Sequence, residues 1–234
     1  MKKNATNYWN EYSEERNLSR NRLLFIYHKQ ILENFLNWFS KVDTRQKILE
    51  VGCGDGFWMD IVRNLGFKEV YGIEPSKHYV DICEKKGFKT YHSTIEDFKP
   101  KEKFDWVLFF DILEHVKNPK EVLKKCNSLL KNDGKVFINI PVYESFYEKF
   151  ERFFRFSDKK TQSTTHDPTH IQYPSGKDVD KWLEEAGFRK IISAHIYNPM
   201  PVIGIKIGVV VRSSTALTFL GRFGRFYSVI AKKL

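Results

Sequence analysis

The sequence predicts an α/β fold, a parallel sheet wound by helices on both faces, and two observations carry that prediction. From residue 47 onward, short apolar runs alternate with stretches of helical period. Glycines stand where the first helical stretches should close, at Gly66 and Gly87. Ligands of such sheets bind beyond the carboxyl ends of the strands, so functional residues are expected there.

The elements follow in order. The opening stretch, with Tyr8, Trp9 and Tyr12, is polar and aromatic, and "NRLLFIYHKQILENFLNWF" then repeats at helical period, giving an amphipathic helix that covers the sheet from within residues 1–42. "KILEVG" is a short apolar strand, "MDIVRNLG" a helix, "EVYGIE" a second strand and "SKHYVDICEKKG" a second helix. "FKTYH", "DWVLFF" and "KVFINI" supply further strands. Between the last two, "NPKEVLKKCNSLLKNDG" reads as a helix with Asn118 as cap, Pro119 in the first turn and Glu121 three residues after the cap.

Composition narrows the classes. A chain of 234 residues with 41% hydrophobic and 15% aromatic residues suits one globular domain, 1–234, with its own core. Cys53, Cys83 and Cys126 form no close pair in sequence, so the expectation is a reducing, cytoplasmic setting without a disulfide framework. No run approaches the roughly 18 apolar residues of a membrane span. The net charge of +10 is concentrated: Lys206, Arg212, Arg222, Arg225, Lys232 and Lys233 face no acid over residues 201–234. The rest is near balance, which argues for a local basic and apolar surface and against a chain-wide nucleic-acid footprint.

The sharpest signal is "LEVGCGDG", which places Glu50, Gly52, Gly54 and Gly56 at the end of the first strand. Glycines there let backbone turn tightly and approach a ligand closely. A dinucleotide fingerprint needs its third glycine at position 57, which is Phe57. That disfavours a nicotinamide oxidoreductase. Glu74, closing the second strand, can accept both hydroxyls of a ribose, so loop and acid together specify a nucleoside cofactor without a 2′-phosphate.

The segments "ILEVGCGDG", "VYGIEPS", "STIEDF", "FDWVLFFDILEHV" and "LKNDGKVFINIP" resemble, in order and spacing, the successive motifs of the class I S-adenosylmethionine-dependent methyltransferases over roughly residues 47–141. The resemblance implies a Rossmann-like sheet of seven strands, mostly parallel with an antiparallel last strand; "FRKIISAHIY" and "FYSVIAKKL" are candidates for the closing hairpin. It implies S-adenosylmethionine as cofactor. Glu50, Gly52, Cys53, Gly54 and Gly56 would line its methionine part, Glu74 and Pro75 its ribose, Ile95 and Glu96 its adenine, with Phe110 at the methionine end.

The same resemblance places Asp111, Glu114 and His115 on the loop that faces the transferred methyl. On residues alone, Asp111 and Glu114 have the spacing of a capping box. A second cluster, "TTHDPTHIQYPSGKDVDKWLEEAGF", carries His166 and His170 before a helix expected from about Ser175. Together the two stretches resemble the ubiquinone-pathway O-methyltransferases and the small-RNA 3′-terminal 2′-O-methyltransferases, which grip an acceptor through a divalent ion. Asp111, Glu114, His115 and His166 would hold a magnesium- or zinc-like ion here, with Asp111 standing where those branches have a longer glutamate. The alternatives are a metal-free site in which His115, His166 or His170 is base or orienting group, and a "HDPTH" loop that only packs.

"YESFYEKFERFFRF", over 143–156, puts Phe146, Phe150, Phe153 and Phe154 on one helical face. It reads as core or as a lid. Residues of about 143–175 and 199–225 are expected as acceptor-side insertions. Their apolar and basic character suggests a small or lipid-linked hydroxyl acceptor, and peripheral membrane contact through the C-terminal segment. RNA is the rival acceptor, and a non-catalytic cofactor-binding scaffold the rival role. Oligomeric state is not legible.

Overall fold

A computed structural model describes residues 22–143, 169–197, 210–212 and 224–234. The expected lid over 143–156 and most of both expected insertions lie outside these residues, as does the aromatic stretch before residue 22.

Helix α1 (Arg22–Phe39) leads into β1 (Ile48–Val51), α2 (Phe57–Asn64), β2 (Val70–Glu74), α3 (Lys77–Lys85), β3 (Lys89–His92) and β4 (Phe104–Phe110). A single 3₁₀ turn, Leu113–His115, then precedes α4 (Pro119–Leu129) and β5 (Leu130–Pro141). The chain closes with α5 (Gly176–Glu185), β6 (Phe188–Tyr197), β7 (Val210–Arg212) and β8 (Gly224–Lys233).

The strands form one sheet in the order β3-β2-β1-β4-β5-β8-β6-β7. Strands β1 to β5 pair in parallel, and β8 inserts antiparallel between β5 and β6. The expected seven strands and antiparallel closing pair are thus present, and three-residue β7 adds an eighth strand antiparallel to β6 at the edge. No sequence signal marked it, because three residues give no period.

Every residue of β1 and β2 is buried, as strands covered on both faces require. One face packs against α1 through Phe35 and Phe39, whose rings stack at 4.3 Å. Phe35 meets Phe110 and Phe137 edge-on at 5.3 and 5.2 Å, so α1 lies over this face of the sheet. The other face packs against α4 and α5 through residues such as Leu123, Val179 and Leu183.

The helix expected over 118–134 is shorter. It caps as foreseen, with Asn118 Oδ1 accepting from the Glu121 amide, but it ends at Leu129. The backbone is already extended at Leu130, which pairs with Phe104, and the early part of β5 shifts register, with Asp133 at φ +65°. Sheet pairing outweighs the helical propensity of "LKND".

Candidate active site

The carboxyl ends of β1, β2 and β4 converge at one edge. After β1 the chain turns through Gly52, Gly54 and Gly56 at positive φ, and Gly56 stands immediately before α2. Two of these glycines have different reasons. A Cβ on Gly52 would fall 2.3 Å from Ile112 Cδ1, so glycine there lets the post-β4 segment close over the loop. A Cβ on Gly54 would meet nothing within 4 Å, so it faces open space.

Glu74 closes on that loop. Its Oε2 accepts from the Gly54 amide and its Oε1 from the Ser76 amide, both at 2.9 Å, which leaves one lone pair on each oxygen for a diol. Glu50 is 2% exposed, and its Oε2 has no hydrogen-bond partner among the described residues. Burial pushes its carboxyl well above the ordinary range, reinforced by Cys83 and the nearby acids Asp55, Asp60 and Glu74. A cationic amino group reaching it would satisfy it. Cys53 is buried beneath the loop with its Sγ 4.0 Å from that of Cys83, whose thiol donates to the Gly54 carbonyl at 3.2 Å.

Ile95 is buried and Glu96 exposed in the turn after β3. Pro75 is exposed, with its carbonyl 2.9 Å from His92 Nε2. Phe110 ends β4 and stacks on Trp58 of α2 with centroids 3.9 Å apart and planes at 3°. Sequence reading missed Trp58, though an aromatic two residues past the last loop glycine is a usable signal.

Open space at Gly54, an acid with free lone pairs at the end of β2, and a buried unpartnered carboxyl fit a nucleoside bearing an amino acid, which is the shape of S-adenosylmethionine.

The expected capping box at Asp111 and Glu114 does not form. Asp111 sits at φ +53° and its Oδ1 accepts from Asn139 Nδ2 at 2.8 Å. The turn that follows is 3₁₀ with Ile112 as its cap and no side-chain cap bond. Surrounding desolvation pushes the Asp111 carboxyl up to about 7, against the lowering effect of Asn139.

Glu114 is completely buried, and its carbonyl accepts from the amides of Ile171 and Gln172, tying the turn to the segment before α5. That tie assembles a cluster. Ligand atoms of Glu114, His115 and His170 lie within 4.8 Å of one another. The His115 and His170 rings meet edge-on at 4.8 Å. Asp111 falls outside this group, and His166 lies outside the described residues.

His115 Nδ1 lies 3.2 Å from the Thr169 carbonyl and 3.0 Å from its hydroxyl. A carbonyl only accepts, so Nδ1 carries a proton in its contact with the Thr169 carbonyl. The ring's Nε2 stands 3.9 Å from Glu114 Oε1. His170 Nδ1 is 3.0 Å from the Tyr143 hydroxyl.

A nucleoside site at the carboxyl edge of β1, β2 and β4, under an antiparallel-closed sheet, defines the class of S-adenosylmethionine-dependent methyltransferases. A family model described as a methyltransferase domain matches residues 20–193, and the chain belongs to that family. The chain is 29% identical over 192 residues to an uncharacterized protein of Methanocaldococcus jannaschii, covering 79% of this chain and 82% of that one. It is 32% identical over 106 residues to a ubiquinone biosynthesis O-methyltransferase of Actinobacillus pleuropneumoniae, a match that spans 40% of this chain and 45% of that enzyme. Among solved structures, a SAM-dependent methyltransferase of Archaeoglobus fulgidus superposes with TM-score 0.62 at 21% identity, over 97% of this chain and all of the other. The magnesium protoporphyrin IX methyltransferase of Synechocystis with bound S-adenosylhomocysteine gives 0.64 at 14% identity, over 91% and 86%. At such identities the structures speak for the fold.

Proposed function

We propose that the protein transfers a methyl group from S-adenosylmethionine to a hydroxyl oxygen of a small or lipid-linked acceptor. The observation that carries oxygen as the target is the Glu114, His115 and His170 cluster, built on the turn after β4 whose Ile112 packs over Gly52. The local similarity to a ubiquinone biosynthesis O-methyltransferase supports the same choice.

The division of labour follows from the geometry. Gly54, Glu74 and Glu50 bind the cofactor, which supplies an electrophilic methyl on a sulfonium. In-line displacement needs alignment and loss of the acceptor's proton. His115 is held at Nδ1 by Thr169, and His170 is braced by Tyr143; either ring suits an acceptor hydroxyl and its proton.

Glu114 Oε1 stands 3.9 Å from His115 Nε2, and with His170 the three offer ligand atoms within 4.8 Å of one another. Glu114, His115 and His170 suit a magnesium- or zinc-like ion, which would polarise a bound hydroxyl. Asp111 belongs to no such grouping among the described residues. On this reading methyl incorporation from labelled cofactor falls in chelator and returns with a divalent ion; full activity in chelator removes the ion and leaves the histidines as the acceptor's partners.

The acceptor's lipid-like character rests on the aromatic and basic segments of the sequence. Of the six basic residues after 200, Lys232 pairs with Asp133 at 2.6 Å, and Lys233 donates to the carbonyls of Asn127 and Leu130. Those two serve the sheet, so any contact with a membrane surface falls to the others. No helix among the described residues is long and apolar enough to cross a membrane. A screen of hydroxylated aromatics, prenylated phenols and lipids, read by a mass gain of one methyl, tests the acceptor class; a product methylated only on RNA overturns it.

A further inference from the structure

Asp111 is held by a chain of buried polar side chains that crosses three adjacent strands. Ser228 on β8 is fully buried, and its hydroxyl donates to Asn139 Oδ1 at 2.8 Å. Asn139 on β5 is 1% exposed, and its Nδ2 donates to Asp111 Oδ1 at 2.8 Å. The Asn139 carbonyl also accepts from the Asp111 amide at 3.0 Å, which fixes backbone and side chain of Asp111 together.

Such an arrangement is unnecessary for packing. Apolar residues at 139 and 228 would fill a strand pair whose neighbours are Phe137, Ile138, Ile140, Val229 and Ile230 without any demand for hydrogen bonds. The polar pair is directed instead at one carboxylate. That carboxylate sits on a non-glycine residue at φ +53°, a conformation that costs roughly 1 kcal/mol or more unless its surroundings impose it.

The residues on either side locate Asp111. Phe110 stacks on Trp58 at the start of α2, and Ile112 packs over Gly52. Asp111 is therefore bracketed at the mouth of the glycine loop. Among the described residues one carboxylate oxygen takes the Asn139 bond and the other receives no hydrogen bond.

We propose that Ser228 and Asn139 are positioning residues that aim the Asp111 carboxylate at the cofactor's sulfonium, so that the pocket prefers a ligand cationic at that position over the neutral product. A carboxylate in a partly desolvated cleft attracts a nearby cation and has nothing to attract in a thioether. The preference favours loading of the donor and release of the spent cofactor. This inference rests on the methyltransferase reading, and it is a role for Asp111 apart from the Glu114, His115 and His170 cluster.

The test needs no acceptor. Sinefungin carries an amine where the methylated sulfonium stands, and S-adenosylhomocysteine carries a neutral thioether. Calorimetric titration of the full chain with each at about pH 8, where the Asp111 carboxyl is ionised, should show sinefungin binding about tenfold tighter or more. Asp111→Asn should bring the ratio to about one while S-adenosylhomocysteine affinity holds. Ser228→Ala and Asn139→Leu should each lower the ratio, and Ser228→Thr should keep it. An unchanged ratio in Asp111→Asn overturns the proposal. Equal weakening of both ligands in Ser228→Ala, with the ratio intact, overturns the relay. Should Asn139→Leu fail to fold, Ser228→Ala against Ser228→Thr decides. If neither ligand binds the unaltered protein, the methyltransferase reading has failed, a separate result.

Discussion

Gly54→Ala separates the cofactor's demands from the fold's. Its Cβ would enter open space, so the stability loss is limited to the positive-φ cost of about 1 kcal/mol. The same methyl would project toward the ligand. S-adenosylhomocysteine affinity should fall at least tenfold while the melting temperature moves only a few degrees. Asp111 offers a pH test. Its folded carboxyl, pushed up to about 7 from an ordinary 3.8, holds its proton more tightly than the unfolded chain does. The folded state therefore loses stability as pH rises between those values. Asp111→Asn keeps an oxygen for Asn139 and removes the charge. Thermal melts should show it stabilised relative to the native protein at about pH 8 and near parity at about pH 4. The glycine loop and Glu74 were legible in sequence because backbone chemistry restricts the residues allowed there. Asn139 and Ser228 were not, since one polar residue in an apolar strand shows no partner until strands β4, β5 and β8 are aligned.

At the scale of elements, period and capping served well where a segment decides its own structure. Helix α5 starts at Gly176, close to the position its sequence indicated, and Ser175 caps it through a reciprocal capping box with Asp178. Ser175→Ala should cost about 1 kcal/mol by denaturant melts, with cofactor affinity unchanged. The D-x-x-E spacing after β4 failed for the opposite reason. Glu114 is drawn into the interior by backbone bonds to Ile171 and Gln172, and Asp111 turns to Asn139, so long-range partners outweigh the local cap. Helix α1 joins fold and site. Phe35 meets Phe110 at 5.3 Å and Trp58 at 5.6 Å. Phe35→Ala should cost about 3 to 5 kcal/mol and loosen the Trp58 and Phe110 stack, read as lower affinity for the cofactor as well as lower stability.

For the whole molecule, the α/β class and the parallel pairing of β1 to β5 follow from strand and helix patterns alternating from residue 47 to 141, a signal long enough to survive local errors, while the antiparallel closing pair followed from the methyltransferase resemblance. The acceptor side was the least legible. His170 joined Glu114 and His115 only because the segment before α5 folds back onto the turn after β4, over fifty residues away in sequence. The family match settles the class, and the site's geometry gives it residues. Cofactor binding should also show in the whole fold: S-adenosylhomocysteine at 100 times its dissociation constant should stabilise the native state by about 2.7 kcal/mol. The most direct measurement is calorimetric titration of the native protein with S-adenosylhomocysteine and, separately, with NAD. Saturable binding of S-adenosylhomocysteine, abolished or weakened at least tenfold in Gly54→Ala, with no response to NAD, is the predicted result. Tight binding of NAD with no response to S-adenosylhomocysteine would contradict it.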